Sequence, residues 1–388
     1  MAEATQQLRN TPRSAGVIPW LAWTHFLNDA VVNYLPGVLP FILSARHIPE
    51  ALAGTLITAL GMGQGLQPLS GWIADRIGGR SLVLGGVALS TISATLIGWA
   101  HPLWLLLTLL LFTGIGNTSF HPQALSLTRA QAGGRPGIGM AAFLVGGEIG
   151  RSLGPLAAGA VVHHWGLPWI WLLGIPLAIT YPWIVKAIPA QKPRRAMGNS
   201  IHFKSHIKPA TALVSYALVR AGMVYEITTL APIMWHQQGG SLVTGAALVT
   251  VFIGVGIFGN MLGGSLDDRV GKVRVLLGTS VLSVITLLAF MTLHGAWEWP
   301  ILALMGIGAF GSATTTTLVG QDVFPENPAL GSGIGLGLSN ALGAIMAFPL
   351  TYIAARAGYS VTILILVALT VITAPAVFWM PKHRPLIQ

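Results

Sequence analysis

The sequence predicts an all-α membrane protein in which twelve transmembrane helices form two pseudo-symmetric six-helix bundles. Composition is the first observation behind this prediction, because 53% of the 388 residues are hydrophobic and only 8% are charged. Soluble domains average about a quarter charged residues. The second observation is a series of apolar runs long enough to cross a bilayer as helices. The third is an internal repeat that relates the two halves of the chain.

The apolar runs are divided by short turns and lack the alternation of an outer-membrane barrel. They lie near 17–44, 51–75, 81–100, 102–129, 136–163, 167–188, 210–236, 242–267, 273–293, 297–321, 330–356 and 359–380. We predict an amino-terminal bundle over 1–188, a cytoplasmic basic linker over 189–209 and a carboxy-terminal bundle over 210–388. No cleavable signal peptide is expected, since the first apolar run is a full span.

The positions of the basic residues predict the orientation. Of the 21 Lys and Arg residues, all but four lie at the termini, in the linker or in the loops after even-numbered spans. Arg46 and Arg356 lie in the opposite loops, and Arg151 and Arg220 lie inside spans. By the positive-inside rule, both termini are cytoplasmic. We expect this multi-pass protein in the cytoplasmic (inner) membrane. The net charge of +10 is therefore topological, and no nucleic-acid partner is expected.

The internal repeat is a charged turn. Gly71, Asp75, Arg76 and Gly78 after span 2 recur, at one constant shift of about half the chain, as Gly264, Asp268, Arg269 and Gly271 after span 8. Glycine permits a tight turn, and the charged groups, with Arg80, can cap a helix or bind carboxylates and lipid phosphates. We interpret this gating motif as a latch that holds the two halves together on the cytoplasmic side. An anchor that merely secures topology is the alternative.

The repeated Gly-x-x-x-Asp-Arg-x-Gly turn in a twelve-span, two-half chain resembles the major facilitator superfamily. Span 5 carries small residues at four-residue intervals with one proline, and it resembles the antiporter motif of drug:proton exchangers in that superfamily. The motif residues are Gly150, Gly154, Pro155 and Gly159. Small residues let helices approach closely, and proline permits a kink.

A closer resemblance is to the fosmidomycin-resistance family of efflux transporters. It is densest in spans 1–5, and it rests on His25-x-x-Asn28-Asp29, Leu66-Gln67-Pro68, Phe120-His121-Pro122, Gly133-Gly134-Arg135 and Val145-Gly146-Gly147. The resemblance implies proton-driven export of small, often anionic or amphipathic compounds. This chain departs from the family at Glu148, where the residue is usually uncharged, and at Arg151, where it is usually small.

Span 1 contains the candidate proton site. His25, Asp29 and Asn33 are spaced by four and Asn28 follows His25 by three, so the four side chains form one polar stripe on a helix. A carboxylate at membrane depth needs a wet cavity or a partner, so the stripe should face inward. We expect Asp29 to carry the proton and His25 to relay it. A satisfied polar contact between helices is the alternative.

Spans 5 and 7 contain the other membrane charges. Glu148 and Arg151 share a helix face, so Glu148 is a second candidate proton carrier and Arg151 a candidate anion ligand. A static ion pair is equally compatible. Arg220 presents the planar donors that suit phosphonate, phosphate or carboxylate groups. Its alternative role is to pair with Asp29 or Glu148 across the halves.

Further polar residues are candidate substrate ligands. Asn117 and His121 lie one turn apart on span 4. The candidate substrate-binding residues are Asn28, Asn33, Gln67, Asn117, His121, Arg151, Tyr216, Arg220 and Glu226. No metal or cofactor site is expected, since the chain has no cysteine and its glycine-rich tracts lack a phosphate-loop lysine.

Together these observations predict a proton-coupled antiporter that exports a small amphipathic or anionic compound by alternating access. A metabolite symporter or uniporter of the same fold is the alternative. An enzyme is not expected, because no nucleophile–base pair or metal cluster is evident. The expected partners are a small-molecule substrate, protons and the lipid bilayer, and the expected state is a monomer.

Overall fold

The structure, a computed structural model, describes residues 16–66, 69–70, 73–74, 78–132, 136–190, 203–325 and 328–381. Within these residues the chain is helical throughout, apart from short turns, and contains no strand. All twelve predicted helices are present. Of the predicted linker over 189–209, residues 191–202 lie outside the described residues, and residues 203–209 belong to the helix Phe203–Gln237 rather than to a linker.

The helices are labelled α1 to α12 in chain order, and several of them consist of two or three segments. Their bounds are Val17–Val32 with Leu35–Ala45 (α1), Glu50–Leu52 with Ala53–Gln64 (α2), Gly79–Leu96 with Ile97–Trp99 (α3), Leu103–Gln131 (α4), Pro136–Trp165 (α5), Leu167–Gly174 with Ile175–Ala187 (α6), Phe203–Gln237 (α7), Leu242–Val270 (α8), Lys272–Thr292 (α9), Gly295–Trp297 with Glu298–Val323 (α10), Pro328–Ser332, Gly333–Leu338 and Ser339–Ala357 (α11), and Tyr359–Thr373 with Ala374–Trp379 (α12).

Nine of the described helices are long and apolar enough to cross a membrane. The other three are α2, α5 and α7. Helices α5 and α7 carry the charged residues Glu148, Arg151, Arg220 and Glu226. Helices α5 and α7 are accordingly among those that contribute polar groups to the interior of the bundle.

The two halves repeat each other in backbone and in packing. Gly78 and Gly271 occupy equivalent turns with φ of 87° and 85°, a left-handed conformation that glycine adopts without strain. Helix α1 packs on α5 as α7 packs on α11, and α3 packs on α4 as α9 packs on α10. The repeat seen in the sequence is therefore also a repeat in three dimensions.

The halves meet through two equivalent helix pairs, α2 with α11 and α5 with α8. Thr58 of α2 donates a hydrogen bond to the Ala344 carbonyl (2.7 Å), and Ser152 of α5 donates one to the Thr250 carbonyl (3.2 Å). These contacts lie between the middle of the bundle and the end at which α2 begins. We call that end the closed end.

Three polar side chains complete the contact at the closed end. Glu50 of α2 accepts hydrogen bonds from Gln237 at the end of α7 (2.7 Å) and from Tyr359 at the start of α12. Tyr359 is also 2.9 Å from the Gln237 side-chain oxygen. Two helices of one half therefore bind the first turn of α2 in the other half.

Close packing at this interface depends on Gly54. A side chain there would overlap the Ala347 backbone carbonyl of α11. We expect Gly54→Val to disfavour the closed end by about 1–3 kcal/mol, the usual cost of overpacking, which is about five- to a hundredfold in the ratio of closed to open molecules.

Cysteine cross-linking measures this effect directly because the chain has no native cysteine. Ala51 and Ala355 line the same cleft at the closed end, so cysteines at these positions report closure. Gly85→Val is the matched control, since a side chain at Gly85 meets nothing. Equal cross-linking in both variants would contradict the prediction.

Candidate functional site

A cluster of polar side chains surrounds Asp29 in the amino-terminal half. Its carboxylate is 3.2 Å from His121 Nε2, 3.5 Å from His25 Nε2 and 3.6 Å from Arg151 Nη2. Asn28 Nδ2 donates to the same carboxylate at 3.1 Å. Asp29 is 1% exposed, so these groups stand where water would otherwise solvate the charge. Helices α1, α4 and α5 each contribute to this Asp29 cluster.

Backbone carbonyls orient both histidine rings. His25 Nδ1 is 2.8 Å from the Phe143 carbonyl oxygen, and His121 Nδ1 is 3.1 Å from the Asn117 carbonyl oxygen. A carbonyl oxygen only accepts hydrogen bonds, so each Nδ1 carries a hydrogen. A neutral imidazole has one N–H, and both Nε2 atoms are therefore lone-pair acceptors in the neutral rings.

The two Nε2 atoms nevertheless face each other at 3.1 Å. Without an added proton, two lone pairs and a carboxylate would all be acceptors pointing at one another. One proton on either Nε2 supplies a donor to the other ring or to Asp29. The geometry of His25, His121 and Asp29 is therefore that of a group that holds a proton. Phe143 stacks on the His25 ring at 4.1 Å and shields it from water.

The same three residues are also the group, among the described residues, whose donor atoms lie close enough together to hold a metal ion. Arg151 contacts the same Asp29 carboxylate at 3.6 Å. A divalent ion on Asp29 would therefore lie close to a guanidinium charge, whereas a proton adds only one charge. The proton is the cation that this cluster fits.

Asn28 supports the cluster and is fully buried. It donates to Asn117 Oδ1 at 2.7 Å as well as to Asp29, and its own oxygen accepts from Ser90 at 2.8 Å. Both of its donors and its acceptor are therefore used. Asn28 and Asn117, both predicted to bind substrate, are bonded to each other.

Glu148 and Arg151 extend the cluster towards the space between the halves. Arg151 Nη1 is 3.5 Å from Glu148 Oε1, and the two side chains are 31% and 20% exposed. The predicted pairing within α5 is present, but Arg151 also contacts Asp29. The halves touch towards the closed end, so this exposure indicates that water reaches the two side chains from the opposite end of the bundle. We call that end the open end.

The carboxy-terminal half presents a second cation to the same space. Arg220 of α7 donates to Asn340 Oδ1 of α11 at 3.0 Å, and its Nε has no hydrogen-bond partner. Asp29 and Glu148, its predicted alternative partners, do not pair with it. Arg220 lies within electrostatic range of Arg151. Tyr225, which bonds Gln64 of α2 at 3.0 Å, lies within range of both guanidinium groups.

Three predicted substrate ligands make contacts outside the Asp29 cluster. The Tyr216 hydroxyl donates to the Leu276 carbonyl at 2.8 Å and so points into α9. The Asn33 side chain donates to the Asp29 backbone carbonyl at 2.9 Å and terminates a helical segment. Glu226 is fully buried against Thr351. Gln67 lies outside the described residues.

The gating motif is described only in part. Gly71, Asp75, Arg76 and the Asp268 side chain lie outside the described residues. Arg80 donates to the Val185 and Ile188 carbonyls at 2.6 and 2.8 Å, so it caps the end of α6. Arg269 is exposed, and Gly264 lies beside Thr314 of α10.

The antiporter-motif glycines bring α5 against α1 and α8. Side chains at Gly150 and Gly154 would overlap the backbone at Phe26 and Ala30 of α1, and one at Gly159 would meet Ala246 of α8. Pro155 packs against Gly37 of α1. This close approach is what places Arg151 beside Asp29.

Sequence reasoning missed four residues that the structure brings to the site: Ser90, Gln64, Tyr225 and Asn340. All are polar residues in apolar spans. Gln64 lies three residues before Gln67, which was chosen instead. That polarity was their one available signal, because adjacent residues such as Tyr225 and Glu226 do not share a helix face.

Comparisons with known proteins agree with this architecture. Residues 21–336 match the model of the Major Facilitator Superfamily. The chain is 24% identical to the uncharacterized MFS-type transporter YfnC of Bacillus subtilis, over 93% of this chain and 92% of the relative. It is 22% identical to the fosmidomycin resistance protein of Escherichia coli, over 91% and 90%. The crystal structure of the nucleoside transporter NupG superposes with a TM-score of 0.77 at 13% identity, over 95% of this chain and 100% of that one.

Proposed function

Because this chain belongs to the Major Facilitator Superfamily and is a multi-pass membrane transporter, we propose that it is a proton-coupled antiporter. It exports a small amphipathic or anionic compound by alternating access between its two halves, and it acts as a monomer. The observation that carries this proposal is the Asp29 cluster, in which two Nε2 atoms and a carboxylate face one another and require a proton between them.

Charge balance supports a single proton. Asp29 and Glu148 contribute two negative charges, and Arg151 contributes one positive charge. One proton on the His25–His121–Asp29 group makes the cluster neutral, which is the state a low-dielectric membrane interior favours. Loss of that proton leaves a net negative charge that either a new proton or a change of conformation relieves.

Arg220 supports an anionic or amphipathic substrate. Its guanidinium bonds only a neutral amide, Asn340, so its charge has no carboxylate partner among the described residues. A buried cation of this kind favours a carboxylate, phosphate or phosphonate. A substrate anchored at Arg220 would extend across the space towards His121 and Arg151 in the other half, as expected for a site between two repeats.

The basic loops assign the open end to the cytoplasm and the closed end to the outside. In this assignment both termini are cytoplasmic, the membrane is the cytoplasmic one, and the structure is inward-open. Substrate enters the cavity from the cytoplasm and the proton leaves the Asp29 cluster to the same side. Reopening at the closed end then exchanges substrate for a proton from outside.

The position of Arg151 favours a symporter as a second candidate function. A substrate anion that draws Arg151 away from Asp29 leaves the carboxylate without its cation, so Asp29 then holds its proton more firmly. Proton and anion would in that case bind together and move in the same direction. Antiport requires instead that Arg151 keeps its contact with Asp29 when the substrate binds, so that the substrate competes with the proton.

The sign of proton exchange on binding distinguishes the two functions. A pH-indicator dye, with purified protein in weak buffer, records whether each candidate compound releases or takes up protons when it binds. We expect release of about one proton per molecule, the sign of competition. Proton uptake on binding would indicate a symporter, and the absence of any proton exchange would indicate a uniporter. Uptake into proteoliposomes with and without an imposed pH gradient provides the matching transport measurement.

A further inference from the structure

Glu226 is a buried carboxyl group that takes no part in the Asp29 cluster. It lies on α7, is 0% exposed, and bonds the Thr351 hydroxyl of α11, which is 3.1 Å from Oε2 and 3.3 Å from Oε1. No Lys, Arg or His of the described chain forms an ion pair with it. An ionised carboxylate in this position would lack both water and a counter-ion, which is costly inside a membrane.

The Thr351 hydroxyl indicates the protonation state. A threonine hydroxyl has one hydrogen to donate and can also accept. If Glu226 is protonated, Thr351 donates to one carboxyl oxygen and accepts from the O–H of the other, and every polar atom of the pair is satisfied. If Glu226 is ionised, one hydrogen must serve both oxygens. The neutral, protonated acid is the form that this geometry fits.

The Glu226–Thr351 pair lies directly at the interface between the halves. A Cβ atom on Gly54 of α2 would lie 2.8 Å from the Thr351 hydroxyl oxygen, so the α2 backbone of the other half packs directly against the pair. Beyond it lies the Glu50 contact with Gln237 and Tyr359 at the closed end. Separation of α2 from α11 therefore opens a path for water to Thr351 and Glu226.

We propose that Glu226 is a second proton-binding site, which is filled from the outside as α2 and α11 come together and is emptied to the same side as they part. Closure removes water from the carboxyl group, so it proceeds only when Glu226 has bound a proton. Low pH at the closed end therefore favours the closed conformation. The inference goes beyond the proposed antiport, because it concerns closure with no substrate bound.

Other titratable groups lie on α7 itself and on the helices packed against it, and most have partners of their own. The partnered groups include Tyr34, bonded to Ala94; Tyr225, bonded to Gln64; Arg220, bonded to Asn340; Glu50, bonded to Gln237 and Tyr359; Asp267, bonded to Thr315; Glu298, 3.9 Å from His294; Asp322, bonded to Lys272; and Arg356, stacked on Tyr352. Arg269 of α8 is exposed. Glu50 also joins the two halves at the closed end. The experiment must therefore distinguish an effect of Glu50 on closure from an effect of Glu226.

Spin labels on cysteines introduced at Ala51 and Ala355 report closure in the otherwise cysteine-free chain. The distance between the labels is measured from acid to alkaline pH in the full-length protein in nanodiscs, without substrate. We expect the short-distance population of the wild type to fall as pH rises. Glu226→Gln, which mimics the protonated acid, should keep the short distance at every pH.

Three variants serve as controls. Glu298→Gln replaces another fully buried carboxyl of the same half and should behave as wild type. Glu50→Gln should retain a pH response, because Glu226 still titrates. Thr351→Val removes the hydroxyl partner and should move the transition to lower pH, which tests the same site if Glu226→Gln fails to fold.

Two results would overturn the proposal. One is a pH response in Glu226→Gln that equals that of the wild type. The case against Glu226 would be strongest if the response were also lost in Glu50→Gln. The other is a wild-type distance that does not change with pH. Neither result depends on transport, so loss of this inference leaves the antiport proposal to its own proton-release measurement.

Discussion

Asp29→Asn abolishes transport driven by a pH gradient while the protein still folds and inserts in the membrane; this is the largest effect we expect from any single substitution. Asparagine keeps the size of the side chain and its contact with Asn28. It removes the negative charge that attracts a proton to the His25 and His121 Nε2 atoms. Arg151 retains Glu148 as a partner, so the bundle is not left with an unpaired guanidinium.

Two measurements are compared: substrate uptake by proteoliposomes with an imposed pH gradient, and substrate exchange with the same pH on both sides of the membrane. Asp29→Asn should lose the first and keep the second, because alternation without a proton still exchanges substrate. Glu148→Gln is the matched control, since it removes the other carboxylate that pairs with Arg151. If Asp29→Asn still concentrated substrate and Glu148→Gln did not, Glu148 would be the proton carrier.

Arg220→Lys should weaken the binding of an anionic substrate by about ten- to a hundredfold. Arg220 uses one nitrogen to bond Asn340 and leaves its Nε unpartnered, so its planar group has donors to offer a ligand. An ammonium cannot reproduce a planar two-donor contact. Loss of one charge-assisted hydrogen bond costs about 1.5–3 kcal/mol, which corresponds to that change in affinity.

Binding of one anionic and one cationic compound to the wild type and to Arg220→Lys tests this prediction. Only the anion should lose affinity. Arg356→Lys is the control, because Arg356 is exposed and stacks on Tyr352 at the closed end, whereas Arg220 bonds Asn340 near the other end of α11. Equal losses for both compounds would mean that Arg220 supports the structure, and the preference for an anion would then be abandoned.

Much of the fold could be predicted from the sequence because its signals are local or periodic. Hydropathy and span length predicted twelve helices, and the repeated glycine turn predicted two related halves. The structure agrees in the equivalent φ angles of Gly78 and Gly271. The spacing of four between His25 and Asp29 predicted their contact for the same reason, since helix geometry alone brings such residues together.

Contacts between helices could not be predicted in this way. Tyr216 and Arg220 are one turn apart on α7, yet Tyr216 bonds α9 while Arg220 bonds α11. Which neighbour a side chain meets depends on how its helix is rotated and bent in the bundle. A single sequence carries that information only weakly.

The sequence by itself determined that this protein is a two-half membrane bundle with Asp29, His25, Glu148, Arg151 and Arg220 inside its spans. Only the tertiary structure decided that His121 lies 3.1 Å from His25 and 3.2 Å from Asp29, and that Arg220 lacks a carboxylate partner among the described residues. The structure also decided that Glu226 lies at the contact of α2 with α11. The physical reason is that hydrogen-bond donors and acceptors are matched across helices distant in sequence. Their protonation and charge therefore follow from packing, and composition or spacing does not reveal them.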